Sequence, residues 1–326
     1  MAAHAGKASA IAYPIQGLVK YHGLRDPVRR IPYHNSISVC TGPIHTHTTI
    51  EVLDPGRQTH VTIDGVTVAG RPLQRVQVVV DAVREKAGDD RPFRMVSRND
   101  FPQYVGLGSS SSGFAALAVA AAAAYGWTAT PEQLSEVARL GAGSASRAVT
   151  GGVSEWVVDG ERSYSRMVVP PDAIDWRIVV PLVRHEEPTE NAHAEVATSP
   201  LFRARLDYMA GALEDLRNAL ASRDIRQVGP VAERDTLNLH AVTMTAKSGH
   251  ITWKPATLEV MERVRALRAK GVPVWFSIDT GATAYCNTDA AHEGEVAAAL
   301  EGIPGVERLL HLQPAGPAHL VGSHLF

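Results

Sequence analysis

The chain has only two cysteines, Cys40 and Cys286, in 326 residues. That argues against a disulfide framework and against a cysteine-based zinc site. Neither sign of charge is in excess: 32 Lys plus Arg against 34 Asp plus Glu give a net charge of −2, with no basic tract to attract nucleic acid. Long apolar runs are missing as well. The longest, Phe114–Tyr125, is alanine-rich and too short to cross a bilayer. Met1–Ser9 contains no apolar core of the kind a signal peptide requires, and there is no internal repeat. The expected location is therefore cytoplasmic, with neither nucleic acid nor membrane as partner. What is present is ordinary globular composition, 45% hydrophobic and 20% charged. The length exceeds that at which single cores usually stop growing, so two domains are expected. Pro170-Pro171 breaks the pattern ahead of Trp176 and places the boundary between 1–175 and 176–326.

The first segment with evident chemistry is Val105-Gly-Leu-Gly-Ser-Ser-Ser-Ser-Gly113, which leads into the alanine-rich helix pattern. Glycines let the backbone turn tightly and approach a ligand, and serines add hydroxyl donors. A helix starting there contributes unpaired amides and the positive end of its dipole, a combination that suits phosphate. The Walker-type lysine is absent. A Gly/Ser linker has a similar composition, but this segment is short and runs straight into a strong helix former.

Around this loop the chain reads as alternating elements. Ala8–Val19 reads as a strand ending in a turn, and Ser36–Thr41 and Ile44–Leu53 as further strands. Asp64-Gly65 centres a hairpin. Val76, Val79, Val80 and Val83 form one face of a helix over Pro72–Lys86. Thr130-Pro-Glu-Gln133 is a capping box. Gly141–Arg147 is a second small-residue turn opening a short helix, which Gly151-Gly152 stops. His45 and His47 sit two apart on a strand without an acidic or cysteine partner at a suitable spacing, so a solvated strand face is expected rather than a metal site. After Trp176 the order, with intervening helices treated as insertions, is β-α-β-β-α-β, a split βαβ or ferredoxin-like layout.

Three charged residues fall at element ends: Lys20 after a strand, Arg147 in the short helix, and Asp279 closing an apolar strand. Asp279-Thr-Gly alone evokes an aspartic protease, yet that chemistry needs a second such carboxylate and the chain has none. The joint pattern is more specific. LVKYHGLRD at 18–26, NSISV at 35–39, FPQYVGLGSSSSGFAAL at 101–117, GAGSASRAVTGG at 141–152, TSPLF at 198–202 and FSIDTGATAY at 276–285 together resemble the mevalonate diphosphate decarboxylase branch of the galactokinase, homoserine kinase, mevalonate kinase and phosphomevalonate kinase (GHMP) superfamily. The opening PIQGLVKYHGLRD at 14–26 is most similar to the archaeal-type phosphomevalonate decarboxylases.

The resemblance implies a two-domain α+β GHMP kinase fold and an ATP- and Mg²⁺-dependent decarboxylase. In such enzymes the tertiary 3-hydroxyl of the substrate is phosphorylated, and loss of that phosphate drives decarboxylation to an alkene. It assigns Asp279 to the 3-hydroxyl, Lys20 as the partner that keeps Asp279 ionised, and Arg147 to the substrate carboxylate. Gly106, Gly108, Ser109, Ser110, Ser111, Ser112 and Gly113 would hold the ATP phosphates, with Ser110 near Mg²⁺. Tyr21, His22, Ser144 and Thr189 would be further substrate contacts, and relatives are commonly homodimers.

The chain also departs from the diphosphate pattern. Leu24 stands where K-Y-W-G-K has its second lysine, Ala142 replaces the first serine of G-S-G-S-A, Glu187-Pro188 replaces a Ser-Ser pair, and Gln16 replaces an asparagine. Losing a cation and hydroxyls while gaining a carboxylate disfavours an extra phosphate, which points to mevalonate 5-phosphate. The alternatives are the diphosphate decarboxylase, an ATP-independent decarboxylase of mevalonate 3,5-bisphosphate, and a ligand sensor lacking the acid–base groups.

Overall fold

The structure is a computed structural model that describes residues 6–102, 106–184 and 195–326. The first half opens with β1 (Lys7–Ala12), β2 (Ile15–Val19), the short pair β3 (Leu24–Asp26) and β4 (Ile31–Pro32), β5 (Ser36–Gly42) and β6 (Thr46–Val52). The strand read over Ala8–Val19 is thus two strands, because Pro14 cannot donate to a ladder and the chain passes there from one sheet to the other. The hairpin β7 (His60–Ile63) and β8 (Val66–Thr67) turns at Asp64 and Gly65, both at positive φ, as a two-residue primed turn requires. There follow α1 (Gly70–Ala87), β9 (Phe93–Asn99), α2 (Ser109–Ala124), α3 (Pro131–Gly141), α4 (Ala145–Thr150), β10 (Val153–Asp159) and β11 (Arg162–Val169).

The second half contains β12 (Arg177–Val183), α5 (Phe202–Ala221), α6 (Ile225–Thr245), α7 (Pro255–Ala269), β13 (Trp275–Ile278), β14 (Ala284–Thr288), α8 (Glu293–Leu300), β15 (Val306–Pro314) and β16 (His319–Val321). Here β15-β12-β14-β13 are neighbours in that order and antiparallel throughout. This is the order fourth-first-third-second of a ferredoxin-like sheet. Strands from both halves meet in one sheet: β15 pairs with β5 through Gln313↔Gly42 and Pro314↔Thr41, and β2 lies on β5 from Ile15↔Cys40 to Val19↔Ile37. A separate six-stranded sheet runs β16-β1-β6-β9-β7-β8.

Three apolar clusters follow from this layering. The first packs the six-stranded sheet against α1 to α4, with α2 at its centre. Helix α2 is apolar all round, as a fully enclosed helix must be, and its alanines let neighbours approach closely. The second cluster joins β2, β5 and β10 to β12, α5 and α6 across the two halves. The third covers the opposite face of the ferredoxin-like sheet with α7 and α8.

Candidate active site

The glycine loop and the Asp279 turn come together where the two halves touch. Gly106 and Gly108 have φ of 78° and 70°, conformations that favour glycine. A Cβ on Gly281 would lie 3.2 Å from the Gly106 Cα, and the Tyr285 hydroxyl donates to the Gly106 carbonyl at 3.2 Å. Helix α2 begins at Ser109, five residues before Phe114, where the apolar run starts, so the serines form its first turn. No side chain caps that turn, which leaves helix N-terminal amides for an anionic ligand. The four serines then divide by role. Ser109 and Ser110 line cavities. Ser111 donates to the Gly108 carbonyl at 2.6 Å and accepts from Ile15 N at 3.3 Å, and Ser112 is bonded to Thr46 Oγ1 at 2.6 Å. The Ser111 and Ser112 hydroxyls are buried and serve the fold.

The first cavity is lined by Lys20, Tyr21, Ser144, Arg147, Asp279 and the loop residues Gly106, Gly108 and Ser110, among others. Its lining carries four cations, Lys20, Arg30, Arg75 and Arg147, against the single carboxylate of Asp279, so it favours anionic ligands. Asp279 accepts from Gly17 N at 3.0 Å through Oδ1 and 3.4 Å through Oδ2. Burial raises its pKa first, against the lowering by the Lys20 charge, the Gly17 N–H and Arg147. Lys20 is therefore near Asp279 electrostatically but is not its direct partner. Its ammonium donates to Thr236 Oγ1 and Ser277 Oγ, each at 2.9 Å, and lies 3.9 Å from Asp235. Burial lowers the Lys20 pKa, with Asp235 and then Asp279 opposing. Lys20 thus acts on Asp279 in the expected direction, favouring the ionised form, but burial is the larger influence and the ammonium is bonded to its own three partners rather than to the carboxylate.

Arg147 is 2% exposed. Its Nη1 donates to Ser36 Oγ at 2.7 Å, its guanidinium lies 5.3 Å from the ring centroids of both Tyr21 and Trp156, and its Nε is buried without a partner. Burial brings its pKa down to about 10, so it stays cationic at neutral pH. An orphaned N–H on a buried, cavity-lining guanidinium fits an absent carboxylate.

Comparison with known proteins bears directly on this arrangement. A family model described as "Diphosphomevalonate decarboxylase-like N-terminal domain" matches residues 12–167. The phosphomevalonate decarboxylase of Haloferax volcanii is 46% identical over 89% of this chain and 90% of its own. The chain belongs to the phosphomevalonate and diphosphomevalonate decarboxylase family. The human diphosphomevalonate decarboxylase is 30% identical over 70% of this chain and 62% of its own. The crystal structure of mevalonate diphosphate decarboxylase from Staphylococcus aureus superposes with a TM-score of 0.90 at 27% identity, covering 97% of this chain and 98% of that one. MDDEF in complex with MVAPP, AMPPCP and magnesium has a TM-score of 0.89 at 25% identity, covering 97% and 99%. The α+β GHMP kinase fold and membership among ATP-dependent carboxy-lyases follow from these likenesses.

Within that family frame, some residues read from sequence fall elsewhere. His22 is fully buried, bonded through Nε2 to Thr243 Oγ1 at 3.0 Å, and does not line the cavity. Gly113 lines only the second cavity, on the far side of Ser109 and Ser110. Glu187, Pro188 and Thr189 lie outside the described residues. Gln16 turns out to be structural: its Nε2 donates to Asn287 Oδ1 at 3.0 Å, an oxygen that also accepts from Trp176 Nε1 at 2.9 Å. His45 pairs with Asp100 and His47 with the Ser323 carbonyl, and no metal-competent cluster exists among the described residues. None of the described helices is long and apolar enough to cross a membrane.

Sequence reading missed the buried frame behind Lys20. Asp235 accepts from Lys20 N at 2.8 Å and lies 3.2 Å from Arg205, which donates to the Lys20 carbonyl at 2.7 Å. Two signals were available. Ser277 in β13 and Asp279 just past its end are two residues apart, a spacing that puts side chains of an extended chain on one side. Asp235 and Thr236 interrupt the buried stripe Val228, Ala232, Leu239 of α6, where a polar pair needs partners.

Gly17 sits where this frame meets the carboxylate. A Cβ there would come within 2.6 Å of Lys20 Cγ and 2.8 Å of Asp279 Oδ1. Gly17→Ala is expected to displace both side chains and lower kcat by about 100-fold, since near-angstrom misplacement costs that much. Steady-state turnover checks it, with an unchanged far-ultraviolet spectrum marking an intact fold.

Proposed function

We propose that the protein is an ATP- and Mg²⁺-dependent decarboxylase of mevalonate 5-phosphate, giving isopentenyl phosphate, CO₂, ADP and phosphate. The observation that carries this reading is the pairing, in one cationic cavity, of a half-buried carboxylate held by a backbone N–H with a buried guanidinium whose Nε has no partner. Asp279 positions the 3-hydroxyl and takes its proton as phosphate is transferred. Arg147 holds the carboxylate that leaves as CO₂, through the planar fork suited to it. Lys20, fixed by Asp235, Thr236 and Ser277, supplies positive charge beside the oxygen that loses its proton.

The donor set fits the nucleotide. The glycines at positive φ, the uncapped first turn of α2 and Arg75 would receive phosphates, and Ser110, which lines both cavities, would take Mg²⁺. When bound, ATP supplies the phosphoryl group that turns the tertiary hydroxyl into a leaving group. The second cavity, with Ile63, Val76, Met95 and Leu117 in its walls, suits the nucleoside. The reading takes 1–175 as the nucleotide-binding domain and 176–326 as the domain bringing Asp279, in a cytoplasmic homodimer.

Leu24, Ala142 and the 46% identity to a phosphomevalonate decarboxylase, against 30% to the human diphosphate enzyme, support the monophosphate. The expected result is a kcat/KM for mevalonate 5-phosphate at least ~100-fold above that for the 5-diphosphate, the discrimination that roughly 3 kcal/mol of phosphate-site contacts provides. Coupled ADP and CO₂ release with each substrate measures it, and preference for the diphosphate would overturn the reading.

A further inference from the structure

Asp279 and Arg147 are anchored at neighbouring points of the β2–β5 ladder, and Ser38 of β5 lies between them. Asp279 accepts from the N–H of Gly17 in β2, and Gly17 is paired directly with Ser38. Arg147 donates to Ser36 Oγ, two residues before Ser38 and therefore on the same face of β5. Two residues further along that face, the Cys40 thiol donates to the Arg147 carbonyl at 3.6 Å. Directly opposed residues of an antiparallel pair also share a face. A Cβ on Gly17 would lie 2.8 Å from Asp279 Oδ1, but glycine has no side chain and leaves that space open beside Ser38. Ser38 accordingly lines the first cavity together with Gly17, Arg147 and Asp279.

The Ser38 hydroxyl is buried, its residue 1% exposed, and it has no hydrogen-bond partner. The hydroxyls beside it are occupied. Ser36 accepts from Arg147. Ser154, which opposes Ser38 from β10, donates to the Gly151 carbonyl at 2.5 Å and accepts from Thr150 Oγ1 at 2.8 Å. An unpaired buried hydroxyl costs the free protein stability. Here it lines the same cavity as a guanidinium with an unpaired Nε–H, and a ligand that accepts from both would satisfy both. A carboxylate does so, because its two oxygens take about four hydrogen bonds and Arg147 Nε supplies one. The 3-hydroxyl fits less well: its oxygen is the nucleophile, and a second donor would withdraw electron density from it.

We propose that Ser38 binds the substrate carboxylate, its Oγ–H on one oxygen and Arg147 on the other. The two donors come from different elements, β5 and α4, so together they fix the plane of the carboxylate as well as its position. That group is unchanged through phosphoryl transfer. The bond therefore stabilises bound substrate and that transition state alike, and its loss falls on KM.

This assignment rests on the proposed function, which supplies the 3-hydroxy acid. Full-length wild type, Ser38→Ala and Ser38→Cys are assayed with ATP, Mg²⁺ and mevalonate 5-phosphate, and binding of that substrate alone is measured by calorimetry. Alanine removes one oxygen, and cysteine keeps a weak donor of similar shape. For Ser38→Ala the expected KM is raised about 10- to 100-fold, the value of a hydrogen bond to a charged group, and Kd rises in parallel. For Ser38→Cys the rise is at least about fivefold. In both, kcat stays within about fivefold and the KM for ATP is unchanged. The thermal midpoint of ligand-free Ser38→Ala holds or rises, because the lost hydroxyl had no partner. In an Arg147→Met background Ser38→Ala costs less than about threefold further in kcat/KM, since both side chains act on one group.

A KM within threefold of wild type in either folded variant overturns the assignment. So does a fall confined to kcat, which would put Ser38 on the 3-hydroxyl, or a loss that multiplies in full with that of Arg147→Met. Should Ser38→Ala fail to fold, Ser38→Cys decides alone. Wild type preferring the diphosphate would instead overturn the proposed function, and the same comparison is then read with that substrate, which bears the same carboxylate.

Discussion

Asp279→Asn is expected to lower kcat by at least ~10³-fold while leaving ATP affinity within about threefold, because it removes the proton acceptor and little else. Asparagine keeps the shape and still accepts from Gly17 N through its carbonyl oxygen, so the turn that meets Gly106 should survive. Its neutral amide cannot take the hydroxyl proton. Single-turnover ADP formation and calorimetric ATP binding separate the two effects, and an equal loss of both would make Asp279 a structural residue. The same carboxylate sets a pH dependence. Burial raises its pKa above 3.8, and only the ionised form acts as base. The acid limb of kcat/KM should thus lie above the ordinary aspartate value, with activity lost as pH falls through it and absent from the asparagine variant.

Arg147→Met should separate activity from stability. The guanidinium is buried, with one donor left unpaired, so it costs the free protein desolvation that only a bound anion repays. Removing it should lower kcat/KM by about 10²- to 10³-fold, the range for deleting one partner of a desolvated charge pair. Methionine fills similar volume without charge, and such replacements of buried ionic groups are often neutral or stabilising. The thermal midpoint is accordingly expected to hold or rise. A large drop in the midpoint would mean that the Ser36 bond and the contacts with Tyr21 and Trp156 make Arg147 chiefly structural.

Much of this protein was legible in one dimension because the relevant physics is local. The 3.6-residue periodicity of Val76, Val79, Val80 and Val83, the Thr130–Gln133 capping box and the Asp64-Gly65 turn each depend on residues within a few positions. So does the glycine loop, whose conformational freedom and proximity to a helix start are properties of adjacent residues. The order of elements after Trp176 likewise carried the ferredoxin-like sheet.

The tertiary structure decided which way polar side chains face and what they meet, since those partners lie from 66 to 257 residues apart. Sequence order could not separate Ser110 from Ser111 and Ser112; the approach of Ile15 and Thr46 does. His22 beside Tyr21 reads as a ligand contact until Thr243 is found behind it. Lys20 finds Asp235, Thr236 and Ser277 before it reaches Asp279. The chemistry available was written in the residue types and their local spacing. Its division between fold and function was set by long-range packing, because a buried polar group takes the partner that three-dimensional proximity supplies.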